Sequence, residues 1–399
     1  MSWGRSVADS LAPRELHEQR SAFYLHGANF YTALAEAERL SMEQDEKALT
    51  QSLAVWAQNN RDFAEAERLF LRCARHEDTA AGAYHQLGRV AQERRDFAAA
   101  EQWYRKSLAI KEKQGNERGA ALTYHQLGVV AEERRDFAAA EQWYRKSLAV
   151  WEKEGDEHNA ASTYHQLGMV AEEQRDFAAA EQWYRKSLAI EEKQGDEHGA
   201  AGTYHQLGSV AEERRDFLAA EQWYRRSLAI KEKLGNEHGA ASTYGQLGNL
   251  ALTQRDFVAA EQWYRKSLAV WERQGNEYGA ASTYHQLGMV AQKRRDFAAA
   301  EQWYRKSLAI SEKQGNEHGA AMTYGQLSLL AEEQARLIEA GGLCLRALIV
   351  LLKTDPHSAQ IAVSVFARIY EAASAEEKSD LSGFWSQAGL GPYPPTENS

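Results

Sequence analysis

Between Thr123 and Val150 the apolar and small residues recur at helical spacing in two successive phases. Tyr124, Leu127, Gly128 and Ala131 fall at i, i+3, i+4 and i+7, one face of a helix predicted from roughly Glu117 to Arg134. Ala140, Tyr144 and Leu148 share a face of a second helix, predicted from about Phe137 to Glu154. Asp136 stands before that helix as its N-cap, and Gly155 follows it as the C′ glycine. Forty residues on, Thr163 to Ile190 repeats the segment with three letters changed in twenty-eight. The pentad YHQLG or YGQLG starts at Tyr84, Tyr124, Tyr164, Tyr204, Tyr244 and Tyr284, and YGQLS starts at Tyr324. Repeats of this length signal a solenoid, in which each helix pair buries its apolar face against the next pair. No proline lies between Ala81 and Leu352, so only the short turns interrupt the helices. Gly128 and Ala140 are small where the paired helices are expected to approach closely.

The spacing Tyr124-x-x-Leu127-Gly128, then Ala140, then Tyr144, resembles the tetratricopeptide repeat (TPR). Ser147 stands where that family usually has alanine, and the unit is six residues longer than the common 34. This longer form is similar to the repeats of the LGN/Pins and kinesin light chain group and of bacterial TPR signalling proteins. The resemblance implies an all-α fold: a right-handed TPR superhelix, or α-solenoid, of about eight helix-turn-helix repeats with helical caps. The expected division is 1–46 as N-terminal capping helices, 47–80 as a degenerate first repeat and 81–320 as six near-identical repeats. A degenerate last repeat is expected over 321–353, a C-terminal helical cap over 354–390 and a flexible tail over 391–399.

The packing positions scarcely vary between copies, whereas a stripe on the first helix does. The residue after the pentad glycine reads Arg89, Val129, Met169, Ser209, Asn249, Met289 and Leu329. Seven residues earlier stand Leu122 and Met322 among serines and glycines; three residues later stand Glu132, Glu172 and Glu212. His85, His125, His165, His205 and His285 complete the stripe, with Gly245 and Gly325 interrupting the histidine ladder. Spacings of three and four place these residues on one helical face. By resemblance that face lines a concave groove, and these residues are its candidate partner-binding set. The apolar members Val129, Met169, Met289 and Leu329 are expected to face water there. A histidine near its ordinary pKa of about 6.5 makes recognition through His125 and His165 pH-sensitive. A second variable column, Lys111, Trp151, Glu191, Lys231, Trp271 and Ser311, reads either as a partly exposed edge or as packing against the turn between repeats.

Composition narrows the partner. The formal net charge is −10, spread through the repeats. That acidity disfavours nucleic acid and anionic membranes, and favours a basic or mixed-charge protein or peptide with apolar anchors. Two cysteines far apart suit a reducing compartment, and no leader or membrane span is read, so the expected location is cytoplasmic. The histidine ladder is too widely spaced for a metal, because packed helices lie about 8–10 Å apart while zinc ligands lie about 2 Å from one centre. Glu132–Glu133 and its repeats read as a solvated acidic rim. The recurrent tryptophans, such as Trp143, read as second-helix packing rather than base stacking. No phosphate loop, nucleophile elbow or zinc-protease motif occurs. The expected function is therefore a non-catalytic interaction scaffold without a cofactor. Two alternatives are a recognition arm of a bacterial signalling or defence system with a separate effector chain, and a self-assembling structural protein.

Overall fold

The computed structural model describes residues 29–393, and among them every regular element is a helix. By Cα proximity the chain forms two units, 1–196 and 197–399. The first holds α1 (29–39), α2 (Glu43–Asn59), α3 (Phe63–Cys73), α4 (Glu77–Glu93), α5 (Phe97–Lys113), α6 (Glu117–Glu133), α7 (Phe137–Glu154), α8 (Glu157–Glu173) and α9 (Phe177–Gln194). The second holds α10 (Glu197–Glu213), α11 (Phe217–Lys233), α12 (Glu237–Thr253), α13 (Phe257–Arg273), α14 (Glu277–Lys293), α15 (Phe297–Lys313), α16 (Glu317–Glu333), α17 (Leu337–Thr354), α18 (Pro356–Ala372) and α19 (Ala375–Gln387). Of the expected N-terminal cap, residues 1–28 lie outside the described residues, as do 394–399 of the expected tail.

Both turns of a repeat solve the same problem, which is to satisfy the last carbonyls of one helix within two or three residues of the next. After α6, Arg135 adopts φ 59° and the Asp136 N–H donates to the Ala131 carbonyl at 2.8 Å. The Asp136 carboxylate then accepts from the Ala139 N–H at 3.1 Å, so one residue closes α6 and caps α7. After α7, Gly155 takes φ 68° and Asp156 plays the double role, donating to the Trp151 carbonyl and accepting from the Asn159 N–H. This is the left-handed helix termination expected at glycine. The turn within a pair instead uses arginine from α2 to α15, where Arg61, Arg95, Arg135, Arg175, Arg215, Arg255 and Arg295 all have φ between 59° and 63°, and Ala335 with φ 58° between α16 and α17.

Within a pair, the pentad glycine makes room for the tyrosine of the second helix rather than for backbone. A Cβ at Gly128 would lie 2.6 Å from the Tyr144 ring, and one at Gly168 would lie 2.5 Å from the Tyr184 ring. Both tyrosines are fully buried. Burying such a ring removes roughly 150–250 Å² from water, about 4–6 kcal/mol before conformational entropy is set against it. Ser147 donates to the Ala121 carbonyl at 2.9 Å, joining the two helices where the usual alanine makes no such bond. On the opposite side Tyr124 stacks on Trp143 with ring centroids 5.9 Å apart, and the Lys146 ammonium covers that indole at 4.6 Å. The tryptophan column thus packs on the first helix of its own pair, as the sequence suggests.

The ends are closed differently. Phe30 and Leu34 of α1 bury against Leu49 and Leu53 of α2. At the other end Phe366 of α18 and Leu381 and Trp385 of α19 cover Cys344 and Leu348 of α17. Tyr393 packs its ring on Phe366, Tyr370 and Trp385 at 4.7–5.1 Å.

Candidate functional site: a trough along alternate helices of the second unit

The first helices carry the sequence-predicted stripe, and the structure gives many of its side chains partners inside the chain. Each of His85, His125, His165, His205 and His285 lays its ring against the buried tyrosine of its own pair, with centroids 5.2–5.5 Å apart. His85 and His285 also bring Nδ1 to 3.3 and 3.2 Å from the hydroxyls of Thr123 and Thr323 on the following pair. Burial disfavours the charged ring, pushing His85 and His205 down to about 4 and lowering His125, His165 and His285 as well. This direction runs against the expectation of a proton switch near pH 6.5: packing against the tyrosine ring favours the neutral imidazole.

The acidic members also have work within the fold. Glu132, Glu172 and Glu212 accept hydrogen bonds from Tyr144, Tyr184 and Tyr224 at 2.9–3.0 Å. Desolvation raises Glu132 and Glu212 above the ordinary carboxylate range. So the first glutamate of each pair is not part of a solvated rim, while Glu133, Glu173 and Glu213 are exposed. Arg89, Leu122 and Met322 are exposed; Val129, Met169, Ser209, Asn249, Met289 and Leu329 are half-buried. Val129 and Met289 rest partly on core clusters, which corrects the reading of these apolar residues as simply facing water.

The second variable column is buried at Lys111, Trp151, Glu191, Trp271 and Ser311. Lys111 and Lys231 donate to Thr123 and Thr243 at 2.8 and 2.9 Å, and burial pushes both down to about 8. Of the two sequence readings, packing between pairs is the one observed.

Three cavities lie along the stripe in the second unit. A cavity of about 360 Å³ lies between α12, α13 and α14, floored by Gly245, Asn249, Tyr264 and Trp271. One of about 210 Å³ lies between α14, α15 and α16, beside His285 and Met322. One of about 170 Å³ lies between α16, α17 and α18, beside Gly325, Leu329 and Ile361. The first two share Tyr278 and Ser282, and the last two share Met322, so they form one trough along α12, α14, α16 and α18. No Asp, Glu, Lys or Arg lines any of them. Met322 and Ile361 are 42% and 55% exposed at the α18 end. Asn249, His285, Met322 and Leu329 of the sequence-predicted set meet in this trough, whereas Gly245, Gly325, Trp271 and Tyr278 were not in that set. The signal that finds them is the break in the histidine ladder, since two of the three cavities sit where glycine replaces histidine.

Among the described residues no group of His, Cys, Asp or Glu is placed to hold a metal ion, and no helix is long and apolar enough to cross a membrane. A family model described as tetratricopeptide repeat matches residues 78–153, 119–193, 199–273 and 279–348. No curated protein matches the sequence. Solved structures with similar folds include a signal transduction ATPase with numerous domains (STAND) carrying a tetratricopeptide repeat sensor, from Pyrococcus horikoshii. Its identity is 15% and its TM-score 0.62, over 87% of this chain and 53% of that one. This chain therefore spans about half the length of that protein. The apo form of the quorum sensor NprR from B. thuringiensis matches at 11% identity and TM-score 0.57, over 85% of this chain and 97% of that one. The apo form of RapI matches at 14% identity and TM-score 0.54, over 74% and 100%.

Proposed function

Because this chain belongs to the tetratricopeptide repeat family, we propose that it is a non-catalytic scaffold that holds a peptide or partner helix in the trough of its second unit. The observation that carries this reading is the continuity of three uncharged cavities along α12, α14, α16 and α18, ending in exposed Met322 and Ile361. An extended surface of this kind, with apolar sockets separated by side chains, suits a chain that presents anchors at intervals. Methionine suits adaptable contact. The net charge of −10 favours a basic or mixed-charge partner at long range, while the trough itself selects apolar and neutral polar anchors. The remaining stripe residues from His85 to Glu212 lie on α4, α6, α8 and α10 and line none of these cavities.

Likeness of fold to a sensor-bearing STAND protein and to a quorum sensor favours a second reading, a recognition arm in a signalling system, which uses the same surface. The test is selection of peptides from a displayed library on the wild-type protein, followed by calorimetry on a Met322→Ser, Leu329→Ser variant. A loss of at least roughly tenfold in affinity is expected, about 1.4 kcal/mol, with the melting curve retained. Selected peptides that bind the variant as tightly as the wild type would place the binding surface elsewhere.

A further inference from the structure

The repeats themselves indicate what the cavity at Gly245 is shaped to hold. In five copies the corresponding residue is a histidine whose ring lies on the tyrosine of its pair and, at His85 and His285, meets the threonine of the next pair. The threonine hydrogen is already committed: Thr323 donates to the Gly319 carbonyl at 3.0 Å, so the bond to His285 is made with the ring N–H donating to the hydroxyl oxygen. At Gly245 both receiving groups persist without the ring. Tyr264 has the position of the other tyrosines, its hydroxyl donating to Asn249 at 2.7 Å. Thr283 donates to the Gly279 carbonyl at 2.8 Å, which leaves its oxygen as an acceptor.

The other tryptophan-bearing pair, which also differs in having Leu122, Arg118 and Asn159 where this one has Ser242, His238 and Gly279, shows the same site with the ring present. Where His125 is present, Trp151 is 1% exposed and the following Thr163 0% exposed. Where Gly245 stands, Trp271 is 7% exposed and Thr283 6% exposed. A Cβ at Gly245 would have nothing within 4 Å. The cavity therefore presents a tyrosine ring, a hydroxyl acceptor and an indole on which His238 already packs with centroids 4.8 Å apart, with no lining carboxylate, lysine or arginine.

We propose that the Gly245 cavity is a socket for an imidazole supplied from outside the chain, a histidine of a partner peptide, seated on Tyr264 with its ring N–H donating to Thr283 Oγ1. The peptide as carrier rests on the reading of the trough given above. The socket's preference for imidazole does not, and it is tested with a probe one residue long.

The probe is N-acetylhistidine amide, titrated into the full-length protein and followed by saturation-transfer NMR. Saturable binding to the wild type is expected. Gly245→His, which restores the residue found in five other copies, should weaken it at least tenfold by filling the socket. Thr283→Val should weaken it roughly fivefold, the worth of one neutral hydrogen bond. N-acetylphenylalanine amide, which has a ring but no ring N–H, should bind at least tenfold more weakly. Absence of saturable binding, binding unchanged by Gly245→His, or equal binding of the phenylalanine probe would each overturn the assignment. If selected peptides prove indifferent to the trough and the histidine probe still binds as described, the scaffold reading fails and the socket stands.

Discussion

Replacing one glycine by alanine should have opposite effects at two positions of the same fold. At Gly168 in α8 the new methyl would lie 2.5 Å from Tyr184 Cε1 and 2.6 Å from Cδ1. That ring cannot simply swing away. It is fully buried, its hydroxyl donates to Glu172 at 3.0 Å, and His165 packs on it with centroids 5.2 Å apart. Overpacking of this kind costs about 1–3 kcal/mol, and displacing the hydroxyl forfeits about 1 kcal/mol more. Against these stands the gain of about 1 kcal/mol when alanine replaces glycine within a helix. The expected net loss is about 1–3 kcal/mol. At Gly82 in α4 a Cβ meets nothing within 4 Å, so only the helical gain of about 1 kcal/mol remains. Urea denaturation followed by circular dichroism should order the three proteins as Gly82→Ala, wild type, Gly168→Ala. Because repeat arrays can unfold in parts, hydrogen exchange in α8 and α9 should show the loss locally. Gly168→Ala at or above wild-type stability would refute the claim that this glycine exists to admit the tyrosine ring.

Two further outcomes follow from the same geometry. His85, held near a pKa of about 4 by burial, binds its proton less readily than in the unfolded chain, where the value is about 6.5. Stability contributed by the neutral ring is therefore present above pH 6.5 and lost as pH falls towards 4; urea midpoints at pH 7 and pH 5 should differ less in His85→Gln than in the wild type, and an equal difference would show the ring to be accessible to protons. Arg135 sits at φ 59°, a conformation that costs a non-glycine residue about 1–2 kcal/mol, partly offset in a glycine variant by the greater freedom of its unfolded chain. Arg135→Gly should raise the unfolding free energy by about 0.5 kcal/mol, and a measured loss would mean that the arginine's contacts with Phe137 and Glu173 hold the turn.

The helices, their caps and their pairing were legible because they depend on interactions a few residues apart. Asp136 next to a run of helix formers, and Gly155 after it, state their roles through hydrogen bonds that close within six residues. The arginine turns were harder to read, since nothing local marks Arg135 for a left-handed conformation; the pull of two helices on a short connection sets it there. The stripe on the first helices could be drawn from spacing alone, and Asn249, His285, Met322 and Leu329 do line the trough. What spacing could not say is how deeply the next pair covers each residue. The charge state of His85 and the burial of Lys111 and Trp151 are set by side chains from helices beyond their own. The same holds for Gly245. In sequence it is one missing histidine, but it becomes a cavity only because Trp271 and Thr283 arrive from α13 and α14 to form the walls that the ring would have filled. Local hydrogen bonding thus determined the repeat, and packing across neighbouring pairs decided which of its faces stays open.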